Sequence, residues 1–308
     1  MAIRINMIDS SIKPNAFNER LSACPLCGGG NIRFLFTIEK YTPSFGVDRC
    51  GSCGFIFMNP RFNDAAVSGF YDEDYYSGGS EYSYHDERKS LKFFSPVWNK
   101  RIAIIRKYVK EGNLLDVGCA FGGFLNAAAH YFVPHGIEIS PYAAAHAQSI
   151  LGNTIHMGTL ADHPFPHNYF SVITMIELLE HLPDPAAALR ESRKLLRRGG
   201  LLVVQTANMD GLQARVFGRN YAYFMPGHLS YFTRQSLTML LQKIGFGKIR
   251  VYYPVEFGLM PKLMKSRSDI TRLWDYRKWI RIAAYHYASK IHFGNVAATS
   301  SMVVYAIK

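Results

Sequence analysis

Long apolar segments are missing from this sequence. Nowhere do about 18 apolar residues follow one another, the length that a helix needs to cross the apolar layer of a membrane. The first 20 residues also lack the apolar core of a secretory signal peptide. With 48% hydrophobic and 19% charged residues, the composition is that of a folded globular protein. We therefore expect a cytoplasmic protein with one core domain and smaller additions.

Acidic residues are the minority among the charged ones. The chain has 35 Lys and Arg against 23 Asp and Glu, which gives a formal net charge of +12. Such an excess favours contact with nucleic acid, an anionic membrane surface or a phosphorylated substrate. Half of the net charge lies in residues 259–293.

Apolar residues recur at helical spacing between Leu273 and Ile291, within that basic stretch. The spacing predicts a basic helical insertion over residues 258–297. Two interpretations are open for it. The helix is either a lid packed over the substrate cleft, or it contacts an anionic membrane surface or a phosphorylated or lipid-linked acceptor.

Cysteine is scarce, but four of the five cysteines form two C-x-x-C pairs, Cys24 with Cys27 and Cys50 with Cys53. Two such pairs can wrap one tetrahedral zinc ion, and the glycine after each pair lets backbone amides turn toward the thiolates. Two disulfides are the alternative, which a cytosolic chain disfavours. Four thiolates leave no open coordination position, so the predicted zinc is structural and holds together a ribbon in residues 1–60.

Residues 61–111 are predicted to form a linker followed by a helical lid. The linker is rich in Tyr, Gly and acidic residues, and its tyrosines either line a ligand pocket or pack on the main domain. The pattern from about His85 to Lys110 is helical, with a break expected at Pro96.

From residue 112 to residue 257, short apolar runs alternate with helical stretches. Strands that are apolar throughout and separated by helices indicate an α/β fold, with a parallel sheet covered on both faces. Residues 298–308 supply the last strand of this core. Ligands of such sheets bind at the carboxyl ends of the strands. The predicted strands before residue 210 are LLDVG, HGIEI, TIHM, SVITMI and GGLLVVQTA.

A glycine turn follows the first of these strands. Gly118 and Gly122 permit a tight turn, but their spacing is not the G-x-G-x-x-G of dinucleotide sites. The carboxylate of Asp116 suits a cofactor with ammonium and sulfonium charges better than it suits a pyrophosphate. S-adenosylmethionine carries both charges and no phosphate. Glu138, 20 residues after Gly118, ends the second strand, where a carboxylate can accept hydrogen bonds from both ribose hydroxyls.

Four motifs, LLDVGCAFGGFL, GIEISP, IELLEHLPDP and LLRRGGLLVVQTAN, occur in the order typical of class I S-adenosylmethionine-dependent methyltransferases. The chain resembles that family from about residue 112 to residue 257, and IELLEHLPDP is most similar to ubiquinone-biosynthesis O-methyltransferases and sugar methyltransferases. The resemblance implies a Rossmann-like seven-stranded sheet with helices on both faces. It also implies methyl transfer to a small-molecule or sugar/glycan-type acceptor, and O-methylation is the favoured reaction.

The resemblance further implies the residues that contact the cofactor. Ala120 stands where many members of the family have glycine, so an extra methyl group lies where the backbone and the cofactor meet. The implied contacts are Asp116, Gly118, Ala120 and Gly122 at the methionyl part, Glu138 at the ribose, Ile139, Thr159 and Leu160 at the adenine, and Ile176 beside the methyl group.

Two histidines are candidates for a general base, which hydroxyl acceptors of high pKa require. His181 follows the fourth strand, where its alternative role is to orient the loop. His228 lies in FMPGHLSYF, which is similar to segments of sugar C-methyltransferases that also carry an N-terminal zinc-binding motif. Those enzymes place Tyr and Glu where this chain has Met225 and Gly227, so their deprotonation scheme does not carry over intact. A structural role for His228 is the alternative.

Two other functions fit parts of the sequence. An RNA methyltransferase would explain the basic charge and the ribbon, but the chain lacks an Asn-Pro-Pro-aromatic motif after the fourth strand, so nucleic acid is disfavoured as a partner. A non-catalytic scaffold protein that binds the cofactor is the second alternative, because Asp116, Gly118 and Glu138 indicate cofactor binding and not turnover.

Overall fold

The structure, a computed structural model, describes residues 16–63, 66, 86–253, 276–288, 292–293 and 296–308. Most of the predicted linker and the first half of the predicted basic insertion lie outside the described residues. Within the described part of the chain, no helix has both the length and the apolar character needed to cross a membrane.

A four-stranded antiparallel sheet contains the predicted ribbon. Its first three strands are β1 (Ile32–Ile38), β2 (Phe45–Cys50) and β3 (Ile56–Met58). The fourth, β9 (Ser230–Tyr231), comes from the main domain and pairs with β3. The ribbon is therefore continuous with a distant segment of the chain, which the sequence did not predict.

Seven strands form the main sheet, and the predicted Rossmann-like α/β fold is confirmed. β13 is antiparallel to both of its neighbours, and the other neighbouring strands are parallel. The spatial order is β10-β13-β8-β7-β4-β5-β6. These strands are β4 (Asn113–Val117), β5 (Val133–Glu138), β6 (Ile155–Met157), β7 (Phe170–Ile176), β8 (Leu196–Ala207), β10 (Gly247–Tyr252) and β13 (Ser301–Ile307).

Helices cover both faces of this sheet because successive strand residues point to opposite sides. Leu114 faces a core with α1 (Leu91–Tyr108), α2 (Gly123–Ala128) and α3 (Pro141–Leu151). Leu115 faces a second core, formed with α4 (Pro185–Leu195), α6 (Arg234–Ile244) and the ribbon. A short helix, α5 (Leu212–Phe217), follows β8.

Sequence signals at the helix starts act as expected. Ser140 and Asp184 cap α3 and α4 by accepting hydrogen bonds from backbone amides, and a proline occupies the first turn of each helix. The predicted break at Pro96 is wrong, since α1 continues through it. Pro96 lies near the start of the helix, where its missing N–H removes a single hydrogen bond. Trp98, Ile102 and Ile105 of α1 are buried in the core.

The described part of the basic insertion contains α7 (Tyr276–Ala288) and a hairpin of β11 (His292–Phe293) and β12 (Val296–Ala297). Two residues of the predicted apolar stripe, Ile280 and Tyr287, are each 59% exposed. Helical spacing in the sequence therefore predicted the helix, while the structure leaves part of its apolar side in contact with solvent.

Candidate active site

The carboxyl ends of four adjacent parallel strands carry the residues implied as cofactor contacts. The sheet order β7-β4-β5-β6 places these ends side by side at one edge. Asp116 and the glycine turn follow from β4, Glu138 ends β5, and Ile176 ends β7. The topology thus brings together at one edge residues that are separated by up to 60 positions in the sequence.

The glycine turn is fastened to the end of β5 by backbone and side-chain hydrogen bonds. The amides of Gly118 and Cys119 donate to the carbonyl of Ile137 at 2.8 and 3.1 Å, and the amide of Ala120 donates to Glu138 Oε2 at 2.8 Å. Gly118 and Gly122 have φ of 75° and 81°, a region that favours glycine. These hydrogen bonds and backbone angles fix the position of the turn against the end of β5.

Ala120 also has a positive φ, 47°. For a residue with a side chain this conformation costs about 1 kcal/mol or more, and it is compensated here by the hydrogen bond to Glu138. The residue is buried, and its methyl group contributes to a small cluster with Phe121 and Ala143. The backbone therefore keeps the shape that glycine would take, although the methyl group is present.

Glu138 is 3% exposed, and both of its oxygens bind backbone amides. Oε2 accepts from Ala120, and Oε1 accepts from Ser140 at 2.9 Å. A carboxylate has about four lone-pair positions, so it can accept more than two hydrogen bonds. Glu138 therefore links the turn after β4 to the segment after β5.

Asp116 is buried and accepts a hydrogen bond from the Thr174 hydroxyl at 2.5 Å. Burial raises the pKa of its carboxyl to about 7, although the Thr174 hydrogen bond and the charge of Arg101 lower it. Thr174 is opposite Asp116 in the strand register, and the only sequence signal for it is a hydroxyl residue inside the apolar run SVITMI. A cationic ligand next to Asp116 would favour the ionised form.

The residues implied near the adenine follow the adjacent ends of β5 and β6. Ile139 is 60% exposed and presents apolar surface at the strand edge. Thr159 is held in a turn, where its amide and its hydroxyl donate to Asp162 Oδ1 at 2.6 and 2.9 Å. The amide of Gly158 donates to the carbonyl of Glu138, which joins this turn to β5. Leu160 follows within the same turn and packs against the core.

Sequence reasoning missed a polar network beside the end of β7. Gln205 donates to Glu177 Oε1 at 2.9 Å and accepts from Arg101 at 2.5 Å. Glu177 has a φ of 51°, so its backbone is held in the left-handed region directly after Ile176. Nothing in the local sequence indicates a partner for Glu177, because Arg101 and Gln205 lie on other elements.

Glu87 and Arg88 also contribute, although they were predicted to lie in the linker and lid segment. Glu87 Oε1 accepts from the amide of Gly123 at 2.8 Å, at the start of α2. The Arg88 guanidinium lies 3.6 Å from the centre of the Phe121 ring and is paired with Asp86. Both side chains therefore contact residues of the glycine turn or next to it, Glu87 through Gly123 and Arg88 through Phe121.

His181 and His228 meet beside the end of β7, with ring centres 4.6 Å apart. His181 Nδ1 faces the carbonyl of Gly227 at 2.8 Å, and His228 Nδ1 faces that of Tyr223 at 2.9 Å. A carbonyl only accepts, so each Nδ1 carries the proton and each Nε2 holds a lone pair. Burial lowers the pKa of His181 to about 4 and also lowers the pKa of His228, so both rings are neutral at pH 7.

Glu180 lies beside these rings and is fully buried. Neither of its carboxylate oxygens has a hydrogen-bond partner among the described residues. Burial, followed by the charge of Glu177, raises the pKa of Glu180 well above its usual range. The carboxylate and the two rings offer ligand atoms within 4.8 Å of one another, so this group can hold a proton or a cation.

The four paired cysteines come together in the ribbon, as their spacing predicts. The Sγ atoms of Cys24 and Cys53 are 3.7 Å apart, and those of Cys27 and Cys50 are 3.6 Å apart. Thiolates at about 2.3 Å from one tetrahedral zinc ion lie about 3.8 Å apart, whereas a disulfide needs about 2.05 Å. The geometry therefore fits a shared metal ion and fits neither disulfide.

Comparison with known proteins agrees with this geometry. A family profile described as a methyltransferase domain matches residues 89–251, more than half of the chain. The chain belongs to this methyltransferase family. The predicted membership in the class I S-adenosylmethionine-dependent methyltransferases is thereby confirmed.

Individual relatives of this methyltransferase are distant. A ubiquinone biosynthesis O-methyltransferase of Xylella fastidiosa is 35% identical over 158 residues, which cover 44% of this chain and 59% of that protein. The match thus spans less than two thirds of that relative's length.

Two solved structures share the fold of the methyltransferase. A SAM-dependent methyltransferase of Archaeoglobus fulgidus has a TM-score of 0.50 at 16% identity, covering 73% of this chain and 100% of its own. Phosphoethanolamine N-methyltransferase 2 of Haemonchus contortus, solved with S-adenosyl-L-methionine, has a TM-score of 0.51 at 14% identity, covering 89% and 71% respectively.

Proposed function

We propose that the protein transfers a methyl group from S-adenosylmethionine to a small-molecule or sugar/glycan-type acceptor, with oxygen as the acceptor atom. The observation that carries the proposal is the glycine turn after β4, which is locked to the Glu138 carboxylate at the next strand end. S-adenosylmethionine supplies an electrophilic methyl group on a positively charged sulfur.

The residues at the strand ends fit this cofactor. Asp116 offers a negative charge for the cationic methionyl part, and the carboxylate of Glu138 offers acceptor oxygens to the ribose hydroxyls. Ile139 offers exposed apolar surface to a flat adenine ring, and Thr159 borders the same edge. Ile176, at the end of β7, closes the pocket beside the reacting methyl group. Each contact uses the type of interaction that its part of the cofactor requires.

His181 and His228 are the proposed proton acceptors. Nε2 of one ring would accept the proton of an acceptor hydroxyl, whose oxygen would take the methyl group that the cofactor supplies, while the electron pair of the broken carbon–sulfur bond would stay on the sulfur. A ring with a pKa of about 4 is a weak base. Oxygen is the favoured acceptor atom because such a base is needed for hydroxyls, and because a relative is named as an O-methyltransferase.

Calorimetry with S-adenosylmethionine tests the cofactor site. Glu138→Gln keeps the size of the side chain and removes its charge, so we expect cofactor affinity to fall about tenfold or more. Glu111→Gln is the matched control, because Glu111 is exposed on the loop before β4. Absence of binding by the parent protein, or equal losses in the two variants, contradicts the assignment.

An acceptor screen with cofactor labelled in the methyl group would identify the substrate, starting with sugar nucleotides and phenols. The same experiments also test the two alternative functions. RNA binding that weakens steeply with salt would support an RNA methyltransferase. Cofactor binding with no turnover on any acceptor class would support a scaffold protein.

The ribbon is proposed to bind zinc as a structural ion through Cys24, Cys27, Cys50 and Cys53. Hydrogen bonds from backbone amides support this proposal. The amide of Leu26 donates to Cys24 Sγ, and the amide of Gly29 donates to Cys27 Sγ, each at 3.4 Å. We propose a cytoplasmic location, because unpaired thiols persist in a reducing compartment.

Contact of residues 259–293 with an anionic membrane surface, or with a phosphorylated or lipid-linked substrate, is a separate proposal. Its support is the exposed side of α7, where Ile280 and Tyr287 lie near exposed Arg277 and Arg281. Apolar side chains beside cations are the combination that binds anionic interfaces.

A further inference from the structure

The ribbon is joined to the histidine pair through β9. β3 pairs with β9, so that Ile56 is opposite Tyr231 and Phe57 is opposite Ser230. The ladder continues past the strand, because the amide of Met58 donates to the carbonyl of Leu229 at 3.1 Å. Leu229 directly follows His228, so the ribbon sheet extends to the residue next to a proposed proton acceptor.

A second set of hydrogen bonds continues from Leu229 to the loop after β7. The amide of Leu229 donates to the carbonyl of Glu180 at 2.9 Å. In the same place His181 Nδ1 donates to the carbonyl of Gly227 at 2.8 Å. The loop with Glu180 and His181 is thus held against the segment 227–229, which is itself held by the ribbon.

Arg61 supplies an independent link from the other end of the ribbon. It follows β3 closely and is only 8% exposed, and its Nη1 donates to the carbonyl of Pro183. Its Nε and Nη2 atoms have no hydrogen-bond partner among the described residues. A buried guanidinium in this condition is costly unless negative charge lies nearby.

Asp184 is an acidic residue in the loop that Arg61 contacts. It directly follows Pro183, whose carbonyl accepts the hydrogen bond from Arg61. Burial lowers the pKa of the Arg61 guanidinium, while the charge of Asp184 raises it. The end of the ribbon is therefore joined to the loop after β7 by a hydrogen bond and by an electrostatic attraction.

We propose that the ribbon holds the acceptor side of the site in place, and that Arg61 is a positioning residue that ties the end of the ribbon to the loop carrying His181. Only the term acceptor side rests on the proposed function, because it assumes that the methyl acceptor binds beside His181 and His228. The glycine turn, by contrast, is fastened to β5 and to Glu87. Metal in the ribbon therefore controls the geometry of the histidine pair and leaves cofactor binding unchanged.

Amide hydrogen exchange on the full zinc-loaded chain, before and after a zinc chelator, tests the link. The reporters on the acceptor side are the amides of Met58 and Leu229, and those on the cofactor side are the amides of Ala120 and Gly123. After chelation we expect exchange about tenfold faster or more at the first pair and within about twofold at the second. Equal acceleration at both pairs, or none at Leu229, overturns the proposal.

Variants of Arg61 test its part while the cysteines stay intact. Arg61→Met should retain zinc, measured by metal analysis, and should accelerate exchange of the Leu229 amide and shift the ring nitrogen resonances of His181 and His228. Arg61→Lys, which keeps the charge and one donor for Pro183, should restore most of both signals. Arg33→Met, on exposed β1, is the matched control and should change neither. Unchanged histidine resonances in Arg61→Met contradict the role of Arg61.

S-adenosylmethionine affinity is measured on the same samples. Failure of the parent protein to bind the cofactor would contradict the proposed function and would leave the exchange result standing. Loss of cofactor affinity in Arg61→Met or after chelation, with the main domain still folded, would contradict the separation of the two sides.

Discussion

Asp116 is harder to ionise than an ordinary aspartate because its carboxyl lies inside the core. Its pKa is raised from 3.8 to about 7. The bound proton therefore stabilises the cofactor-free fold fully below pH 4, and this contribution is lost as the pH rises through 7. The cationic methionyl group of the cofactor needs the ionised carboxylate, so the cofactor and the proton compete for Asp116.

Cofactor affinity should accordingly increase with pH between about 6 and 8, with release of a proton on binding below pH 7. Calorimetry in buffers of different ionisation enthalpy measures both quantities. In Asp116→Asn, which has no charge to titrate, affinity should be lower and nearly independent of pH over this range. A parent protein whose affinity falls with rising pH would exclude this role for Asp116.

The two histidines can be tested with a substitution that keeps their hydrogen bonds. Asparagine in place of His181 or His228 can still donate to the backbone carbonyl of Gly227 or Tyr223, but it cannot accept a proton at neutral pH. With a hydroxyl acceptor found by the screen, turnover should fall about 100-fold in at least one variant, while cofactor affinity stays unchanged. His130→Asn, at an exposed position just after the end of α2, is the control. Full turnover in both site variants would exclude the pair as bases.

Single residues of this site were predictable from the sequence where strand ends and glycine turns define them. Asp116, Glu138 and the cysteine pairs follow from local spacing. Gln205 and Arg61 could not be found that way, because each acts on residues about 30 to 120 positions away. The positive φ of Glu177 accompanies a hydrogen bond from its amide to the carbonyl of Gln205 in β8, and the local sequence does not show this partner.

Helix α2 gives a test of close packing. A Cβ on Gly123 would lie 2.4 Å from the Trp98 ring and 2.6 Å from Glu87 Oε1. Since both neighbours are buried, Gly123→Ala should lower the free energy of unfolding by about 1–3 kcal/mol and weaken the contact between α1 and the glycine turn. Gly247→Ala, with open space around its Cβ, should change stability by less than about 1 kcal/mol. Urea denaturation of both variants checks this, and equal stability of the two would disprove the packing argument.

Regular elements were largely predictable because their patterns are local. Strands that are apolar throughout indicated the parallel sheet, and caps with a following proline located α3 and α4. β9 was missed because two residues carry too short a pattern and their partner, β3, lies more than 170 positions earlier. For the same reason, the sequence did not predict that the ribbon pairs with the main domain through β9.

Surface charge acts on the whole molecule, and the basic insertion gives a test at that scale. Binding to vesicles of phosphatidylglycerol should exceed binding to phosphatidylcholine vesicles, and Arg277→Glu with Arg281→Glu should weaken it about tenfold or more. Arg197→Glu with Arg198→Glu makes the same charge change at the exposed beginning of β8. Cosedimentation that responds equally to both double variants would indicate net charge alone, and no binding would exclude a membrane role.

The pairing of β3 with β9 has a consequence for synthesis of the chain. Residues 56–58 are made about 170 positions before their partners at residues 230–231. At about 5–20 residues per second, the outer edge of β3 waits roughly 10–35 s for its partner strand. An unpaired edge carrying Ile56 and Phe57 is prone to pair with other chains during that time. We therefore expect yield of folded protein to depend more on the supply of chaperones than the stability of the finished fold would suggest.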